Sequence, residues 1–468
     1  MRAGVDVAAP GVSLWSADAG PATGHQAPLP AQLQVDVAIV GGGYGGLWTA
    51  YALRRWRPDA RIVLLEARTV GHGASGRNGG WLSGWIPVGP AELDAAHGAG
   101  AARRMLAATF GAVDEVGRIV AREGIACDFH KAGTLTGATN GAQWGRVRGE
   151  VDEARRHGLA ADDLVELGAD ELTRRIGAAR IVGGTFTPHC ATVHPLRLVR
   201  GLAEACARLG VTIREGARVV DVDDGRVTYE CGGERATLRA DLVVRATEGY
   251  TASLPGARRD LVPLYSYMVA TAPLPARTLE ELRWAGRETY HDGRHLIIYA
   301  QRTADGRVAF GGRGAPYHFG SRVRDRFDVH ARIHARIVDA MRTTLPALRD
   351  AEITHRWGGP LGAPRSWHPT VRLARDRRLA VIGGYVGEGV LASHLAARTL
   401  VAMLGGPDGD LATLPWVGDH WGRWEPEPLR WLGVNGLLRL TRSMDRAEER
   451  TGRSPRRRTA VRDWFFER

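Results

Sequence analysis

The sequence predicts an α/β fold: a parallel sheet that the chain leaves and revisits, with a smaller antiparallel sheet beside it. Three observations carry this expectation. Residues 35–40, VDVAIV, form an apolar run of single-strand length, and Gly41, Gly43 and Gly46 follow it at the head of the helical stretch LWTAYALRRW. Residues 61–67, RIVLLEA, supply a second buried strand closing on Glu66. Residues 240–247, ADLVVRAT, are another buried-strand run that returns to the first sheet, whereas 263–271 and 296–312 alternate as strands of a different, antiparallel sheet.

The glycines of the first unit are spaced for one kind of ligand. Gly41 allows a tight turn, Gly43 lets the backbone approach a pyrophosphate that a Cβ would push away, and Gly46 lets helix and strand pack closely. The first turn of the helix offers N–H groups beside the positive end of its dipole, which is a phosphate site before any side chain is considered. Glu66 lies 25 residues beyond Gly41, where a carboxylate accepts hydrogen bonds from adenosine ribose hydroxyls and repels a 2′-phosphate. A glycine-rich turn in an ordinary α/β unit shares the spacing alone. Strand, glycines, helix, strand and acid in register point to an adenine dinucleotide.

Composition bounds the rest. At 468 residues, 44% hydrophobic and 24% charged, the chain has the make-up of a soluble globular protein with room for several domains. No run of eighteen apolar residues indicates a membrane span, and the N-terminal stretch lacks the apolar core of a secretory signal, so a cytoplasmic location is expected. Cys127, Cys190, Cys206 and Cys231 show no metal-ligand spacing and read as reduced structural thiols. The net charge of +12 is almost wholly arginine, with Lys131 the single lysine, and it is spread through every segment, so no nucleic-acid partner is inferred. His330 and His334 have the four-residue spacing of zinc ligands, but no glutamate completes H-E-x-x-H, and His189, Cys190 and His194 do not make a metal site either.

In chain order, residues 1–34 read as a strap leading into the first strand. The stretch ARTVGHGASGRNGGWLSG is a loop whose six glycines must lie against something, and the dinucleotide is the candidate. Residues 90–177 are largely helical, with CDFHKAGTLTGAT as a short strand pair. A helix follows His194-Pro195 and ends at Gly210; short strands at 211–214, 217–222, 226–230 and 236–239 precede the return strand, and 329–341 is an amphipathic helix. Residues 378–404 repeat the logic of the first unit: strand 379–382, a turn through Gly383, Gly384, Gly387 and Gly389, then a helix from Val390. The Arg-rich end, SPRRRTAVRDWFFER, reads as a solvated tail.

The order of VAIVGGGYGGL, LLEA, GHGASGRNGG, ATVHPLRLVRGLA, ADLVVRATEGYT, RWGGP and GGYVGEGV resembles the FAD-dependent D-amino acid oxidase-like family, nearest its gamma-glutamylputrescine oxidase and glycine oxidase branch. The resemblance implies a Rossmann-like FAD-binding domain built from 35–90, 185–262 and 355–405. It also implies a substrate domain from 91–184 and 263–354, leaving the 1–34 strap and a 406–468 extension. It places Gly41, Gly43 and Gly46 at the pyrophosphate and Glu66 at the ribose, with Tyr44, Gly45 and Ala67 among the cofactor-binding residues of the same segments. Ser75, Arg77, Asn78, Gly79 and Gly80 run beside the pyrophosphate and flavin, Val219 meets the adenine edge, and Thr247 lies in the loop against the dinucleotide. Gly384, Tyr385, Gly387, Glu388, Gly389 and Val390 lie at the pyrimidine side of the flavin.

Departures from the family pattern sharpen the expectation. Covalent-flavin relatives use a histidine where this chain has Asn78, or a cysteine near 357–363, where it has none, so FAD is held non-covalently. The arginine that holds a substrate carboxylate is absent near Pro360 and Leu361, which moves the substrate from a free amino acid toward an amine. The lysine that promotes reaction with oxygen is missing, leaving oxygen or another electron acceptor. The implied chemistry is hydride transfer from the amine α-carbon to flavin N5, giving an imine that hydrolyses. Tyr265 and Tyr267, Arg313, Trp357 and Glu388 are the candidate pocket residues. Glu388 fits either a carboxylate that orients or deprotonates an ammonium group or a partly solvated loop glutamate, and the tyrosines also fit strand-face packing. Two other readings share the first fingerprint: an FAD hydroxylase using reduced nicotinamide, and a flavin-binding protein with degenerate chemistry.

Overall fold

The computed structural model describes residues 8–21, 24–25, 29–30, 32–312, 314, 316–376 and 378–466. The first sheet runs in the order Arg218–Asp223, Arg226–Cys231, Glu234–Arg245, Gln32–Val40, Ile62–Leu65, Thr212–Arg214. Leu379–Gly383 joins Glu234–Arg245 in parallel, and Thr370–Leu373 pairs with Leu379–Gly383. Gln32–Val40 is parallel to both neighbours. Its inner residues Ala38 and Ile39 are fully buried, as is Leu64 opposite, because a parallel strand covered on both faces has no side for polar groups. Helices Tyr44–Trp56 and Gly389–Met403 pack on each other over this sheet, and Pro195–Arg208 packs against the first of them.

Two expected strands, 236–239 and 240–247, are one strand, Glu234–Arg245, because no turn residue separates them. Its outer half also pairs antiparallel with Arg226–Cys231, while its inner half lies between Gln32–Val40 and Leu379–Gly383.

The second sheet runs Ile353–Ala363, Val262–Thr271, Val308–Gly312, Ile298–Arg302, Thr289–Asp292, Thr134–Ala138, Gly183–Thr187, Val165–Leu167. It is antiparallel except where Thr289–Asp292 runs parallel to Thr134–Ala138. Residues 355–363, grouped from the sequence with the dinucleotide segments, lie in this sheet beside Val262–Thr271. Glycines hide the strand pattern there: the Tyr267 ring occupies the space that a Gly358 side chain would need. The expected strand pair in CDFHKAGTLTGAT is likewise split between two sheets. His130–Lys131 joins Cys190–Thr192 and Trp81–Ser83, and Thr134–Ala138 enters the second sheet beyond Gly133, whose φ is +85°.

The C-terminal end is helical rather than a free tail, with helices Leu429–Thr451 and Arg456–Phe466. The longer one inserts Glu448, 0% exposed, between Arg146 and His295 at 2.8 and 2.9 Å, and Asp445 accepts from the His295 and Leu296 N–H groups. Arg462 of the last helix reaches His295 at 2.9 Å. Arg456, Arg457 and Arg458 are exposed, whereas the partner of Arg462 lies far away in sequence. No helix among the described residues is long and apolar enough to cross a membrane.

Replacing Glu448 by Ala strands the Arg146 guanidinium and removes the acceptor beside His295, whose pKa burial holds below the usual histidine range, and we expect the loss of about 3 kcal/mol of stability in urea denaturation. An unchanged midpoint would show that the C-terminal helix docks without this cluster.

Candidate active site

The first glycine turn is shaped by contact. Gly41 has φ +112°, and a Cβ there would stand 2.6 Å from the Ala246 carbonyl oxygen of the neighbouring strand. A Cβ on Gly46 would collide with the Gly41 carbonyl oxygen, so close helix–strand packing requires glycine. The Tyr44 N–H opening the helix donates to Ser75 Oγ at 2.9 Å, which ties the glycine-rich loop to the helix start. The Tyr44 ring points away and its buried hydroxyl donates to Pro195 O at 2.7 Å, so only its backbone faces the groove. Gly45 packs against Ile382 of the strand Leu379–Gly383.

Glu66 accepts from the Gly42 N–H at 2.7 Å and the Arg68 N–H at 2.8 Å, one bond to each carboxylate oxygen, and each oxygen keeps acceptor capacity toward the groove. Burial lifts its pKa above the usual glutamate range. Ala67 follows it on the exposed rim. Val219 sits at a register shift, between 219 and 221, in an edge strand, and the Thr247 hydroxyl bonds that of Thr251 at 2.8 Å.

The second glycine turn is organised by a residue that the sequence reading did not single out, Glu248. One of its oxygens accepts from the N–H groups of Gly384 at 2.7 Å and Tyr385 at 3.3 Å; the other accepts from the Gly362 N–H at 3.1 Å. Burial pushes its pKa up to about 7. The available signal was the acid in ATEGYT, set directly after the returning strand. Beyond it, Gly383 and Gly384 have φ +149° and +73°, and Glu388 precedes the first residue of helix Gly389–Met403 with no side-chain cap on that helix. The helix start is therefore left for an acceptor. Tyr385 is buried, and its hydroxyl has no partner among the described residues.

A cavity of about 520 Å³ opens between the two turns, reaching Arg77, Asn78 and Gly79 on one wall and Gly387, Glu388 and Val390 on another. The loop wall is rigidly held. Trp357 Nε1 donates to Arg77 O at 2.9 Å, and Trp15 Nε1 donates to Asn78 O at 2.8 Å. The Asn78 amide donates to Ala74 O and Ser75 O at 3.0 Å and accepts from the Gly80 N–H at 2.7 Å. Arg77 is ion-paired with Asp328 and donates to Gly358 O at 3.2 Å.

Of the five candidate pocket residues, Glu388 reaches the cavity, and Trp357, fully buried, acts on it only through Arg77. Tyr265 does not reach it. In strand Val262–Thr271, Ser266 and Met268 face the cavity, so alternation turns Tyr265 and Tyr267 to the other side, where the Tyr265 hydroxyl accepts from the Arg324 N–H at 3.2 Å. Arg313 lies outside the described residues. The aromatic wall comes instead from Trp81, His291 and Tyr299. Trp81 meets Tyr299 edge to face at 6.1 Å; the Tyr299 hydroxyl shares a 2.7 Å hydrogen bond with Ser266 Oγ, and His291 Nε2 lies 2.9 Å from Thr136 Oγ1. These residues carry no sequence signal, because strand parity alone selects them.

Two helix starts around a groove, a ribose-type carboxylate and an aromatic cavity at its end define a dinucleotide-dependent redox protein. The family described as FAD dependent oxidoreductase matches residues 36–403, and the chain belongs to it. FAD is its cofactor. The glycine cradle fits the pyrophosphate, Glu66 the ribose, and the uncapped start of helix Gly389–Met403 the electron-rich ring edge. The chain is 30% identical to the probable oxidoreductase OrdL of Rhizobium meliloti over 82% of its own length and 86% of that protein. It is 28% identical to the gamma-glutamylputrescine oxidoreductase of Escherichia coli, over 81% and 85%. Among solved structures, the glycine oxidase of Geobacillus kaustophilus shares the fold with a TM-score of 0.63 at 22% identity, over 80% of this chain and 94% of that one.

Glu248→Gln puts an amide donor against a backbone donor, and we expect FAD affinity to fall about tenfold in titrations of the apoprotein. The same carboxyl makes apoprotein stability pH-dependent. With a pKa of 4.5 when unfolded and about 7 when folded, it favours unfolding increasingly as pH rises through that interval. Water in the groove screens part of this, leaving about 2 kcal/mol. Urea midpoints of the wild type should therefore fall more steeply with pH than those of Glu248→Gln, and parallel slopes would contradict the assignment.

Proposed function

We propose that the protein oxidises a C–N bond of an amine or amino-acid-derived substrate. The observation that carries this reading is the state of Arg77. It is the only arginine or lysine lining the cavity among the described residues, and its charge is taken by Asp328, so nothing there is available to hold a substrate carboxylate. The gamma-glutamylputrescine oxidoreductase of Escherichia coli, to which the chain is similar, carries an amine substrate in its name and supports the same direction.

FAD, when bound, supplies the acceptor for the hydride that leaves the amine α-carbon. The chain's own residues orient and exclude. Glu388 holds the ammonium group or takes its proton, so that the nitrogen lone pair assists loss of hydride. The Tyr299–Ser266 hydrogen bond fixes an aromatic edge against which the substrate carbon packs, and Trp81 closes that side to water. The Gly389 helix start favours negative charge at the end of the groove. The imine product takes up water and yields a carbonyl compound and an amine or ammonia. Asn78, engaged through both amide atoms, and the absence of cysteine from 357–363 support a non-covalent cofactor. In this reading 35–90, 185–262 and 355–405 hold the cofactor, 91–184 and 263–354 cover it, and oxygen or another acceptor reoxidises it in the cytoplasm.

Anaerobic mixing of the holoenzyme with a panel of amines tests the proposal, with bleaching of the flavin absorbance by amine alone as the expected result. Bleaching only by reduced nicotinamide would replace it with a hydroxylase-type reading. Glu388→Gln should slow bleaching about a hundredfold with FAD still bound; unchanged rates would remove Glu388 from the chemistry.

A further inference from the structure

The two C-terminal helices, Leu429–Thr451 and Arg456–Phe466, lie beyond the residues that match the family, which end at 403, and the site described above uses none of their side chains. Their charge is one-sided. Residues 429–466 carry ten arginines against four acids, and all four acids are engaged. Asp445 and Glu448 turn inward to the His295 N–H and to Arg146, Glu449 pairs with Arg294 at 3.4 Å, and Asp463 pairs with Arg462 at 2.6 Å. Arg439, Arg446 and Arg450 on the first helix and Arg456, Arg457 and Arg458 on the second are exposed, and none of the six has an ion-pair partner among the described residues. The charges also crowd one another: burial lowers the pKa of Arg442, and the charges of Arg336, Arg446 and Arg439 lower it further. An anionic partner relieves such crowding.

The same helix pair is apolar at one end. Leu429, Leu432, Val461 and Trp464 are each more than half exposed, and they are four of the seven large hydrophobic side chains exposed among the described residues. The helices run antiparallel, since a Cβ on Gly433 would stand 3.2 Å from the Phe465 ring and Arg458 donates to Ser443 O at 2.7 Å. Leu429 and Leu432, at the start of the first helix, therefore adjoin Val461 and Trp464, near the end of the second. Leu429, Leu432, Gly436, Arg439, Arg446 and Arg450 recur at helical spacing along one exposed stripe, while Val434, Thr441, Met444 and Glu448 occupy the buried side. The second helix is held to the body through Arg462, which reaches His295, and through Phe465 O, which accepts from Arg365 at 3.2 Å, so its exposed residues also face outward.

Exposed leucines and a tryptophan beside uncompensated arginines make the composition of helices that lie in the headgroup region of an anionic bilayer. Apolar side chains enter the acyl boundary, tryptophan settles at the interface, and guanidinium groups meet phosphates. A nucleic acid would pair with the arginines and leave Leu429 and Leu432 in water. We propose that this helix pair docks the protein on an anionic lipid surface, with Leu429, Leu432, Val461 and Trp464 entering the headgroup boundary and the flanking arginines pairing with lipid phosphates. The helices lie on the bilayer and do not cross it.

The test is co-sedimentation of the holoenzyme with vesicles of phosphatidylcholine, with and without phosphatidylglycerol. We expect partitioning to the phosphatidylglycerol vesicles to be about tenfold stronger or more, and to weaken as salt rises. Replacing Arg456, Arg457 and Arg458 together by Gln should weaken it about a hundredfold. Replacing Leu429, Leu432 and Trp464 together by Ser should weaken it about tenfold or more. FAD content and the visible spectrum report an intact fold in both variants. Equal partitioning to the two kinds of vesicle, or to neither, overturns the proposal. A serine variant that partitions like the wild type also overturns it, because the arginines would then hold an anion without insertion into a bilayer. Binding to duplex DNA that is tighter than to vesicles in the same salt replaces the lipid surface with a nucleic acid.

Discussion

Three backbone N–H groups from two separate parts of the chain converge on Glu248, and the site depends on that carboxylate. Gly362 belongs to the second sheet, Gly384 and Tyr385 follow the last strand of the first, and Glu248 lies three residues beyond Glu234–Arg245, the strand that runs through the middle of the first sheet. One side chain therefore sets the distance between the sheet that presents the helix start at Gly389 and the sheet that walls the cavity. Its cost is visible in a pKa pushed up to about 7, and its gain is charge-assisted hydrogen bonding to three donors that no regular secondary structure would satisfy.

The opposite wall is built on the same principle with different groups. Trp15 comes from the N-terminal segment and Trp357 from the second sheet, and their indoles donate to the successive carbonyls Asn78 O and Arg77 O. The two rings meet edge to face at 6.3 Å, so the loop rests on a packed aromatic base instead of on solvent. Rigid backbone on both sides suits a redox site, where orientation of the reacting carbon contributes more than any single acid or base. Charge is arranged with equal economy: the Arg77–Asp328 pair neutralises the one guanidinium lining the cavity among the described residues, and Glu388 and Glu150 line it too.

Much of the cofactor groove was legible because its constraints are local. Gly41, Gly43, Gly46 and Glu66 lie within one βαβ unit, where spacing in sequence is spacing in space. The substrate wall was not. Tyr265 and Tyr267 were candidates, yet strand parity turns them away and Ser266 and Met268 inward, and an apolar, aromatic-rich strand gives no outward sign of which face is which. Residues 355–363 were grouped with the dinucleotide segments, although they pair in the second sheet, where the Tyr267 ring fills the space left by Gly358. Arg462 read as solvated because His295, which it reaches, is more than one hundred and fifty residues away, whereas Arg456, Arg457 and Arg458 are exposed.

The sequence by itself determined the α/β class, the glycine turn of the first unit, the acid that closes its second strand and the second helix start, since each depends on short-range backbone geometry that glycine and one carboxylate encode. Tertiary structure alone decided that Glu248 joins the two sheets, that two indoles hold the loop at Arg77 and Asn78, and that Trp81, Tyr299 and Glu150 share one cavity. Those facts depend on contacts between segments distant in the chain, and such contacts arise only when both sheets have packed.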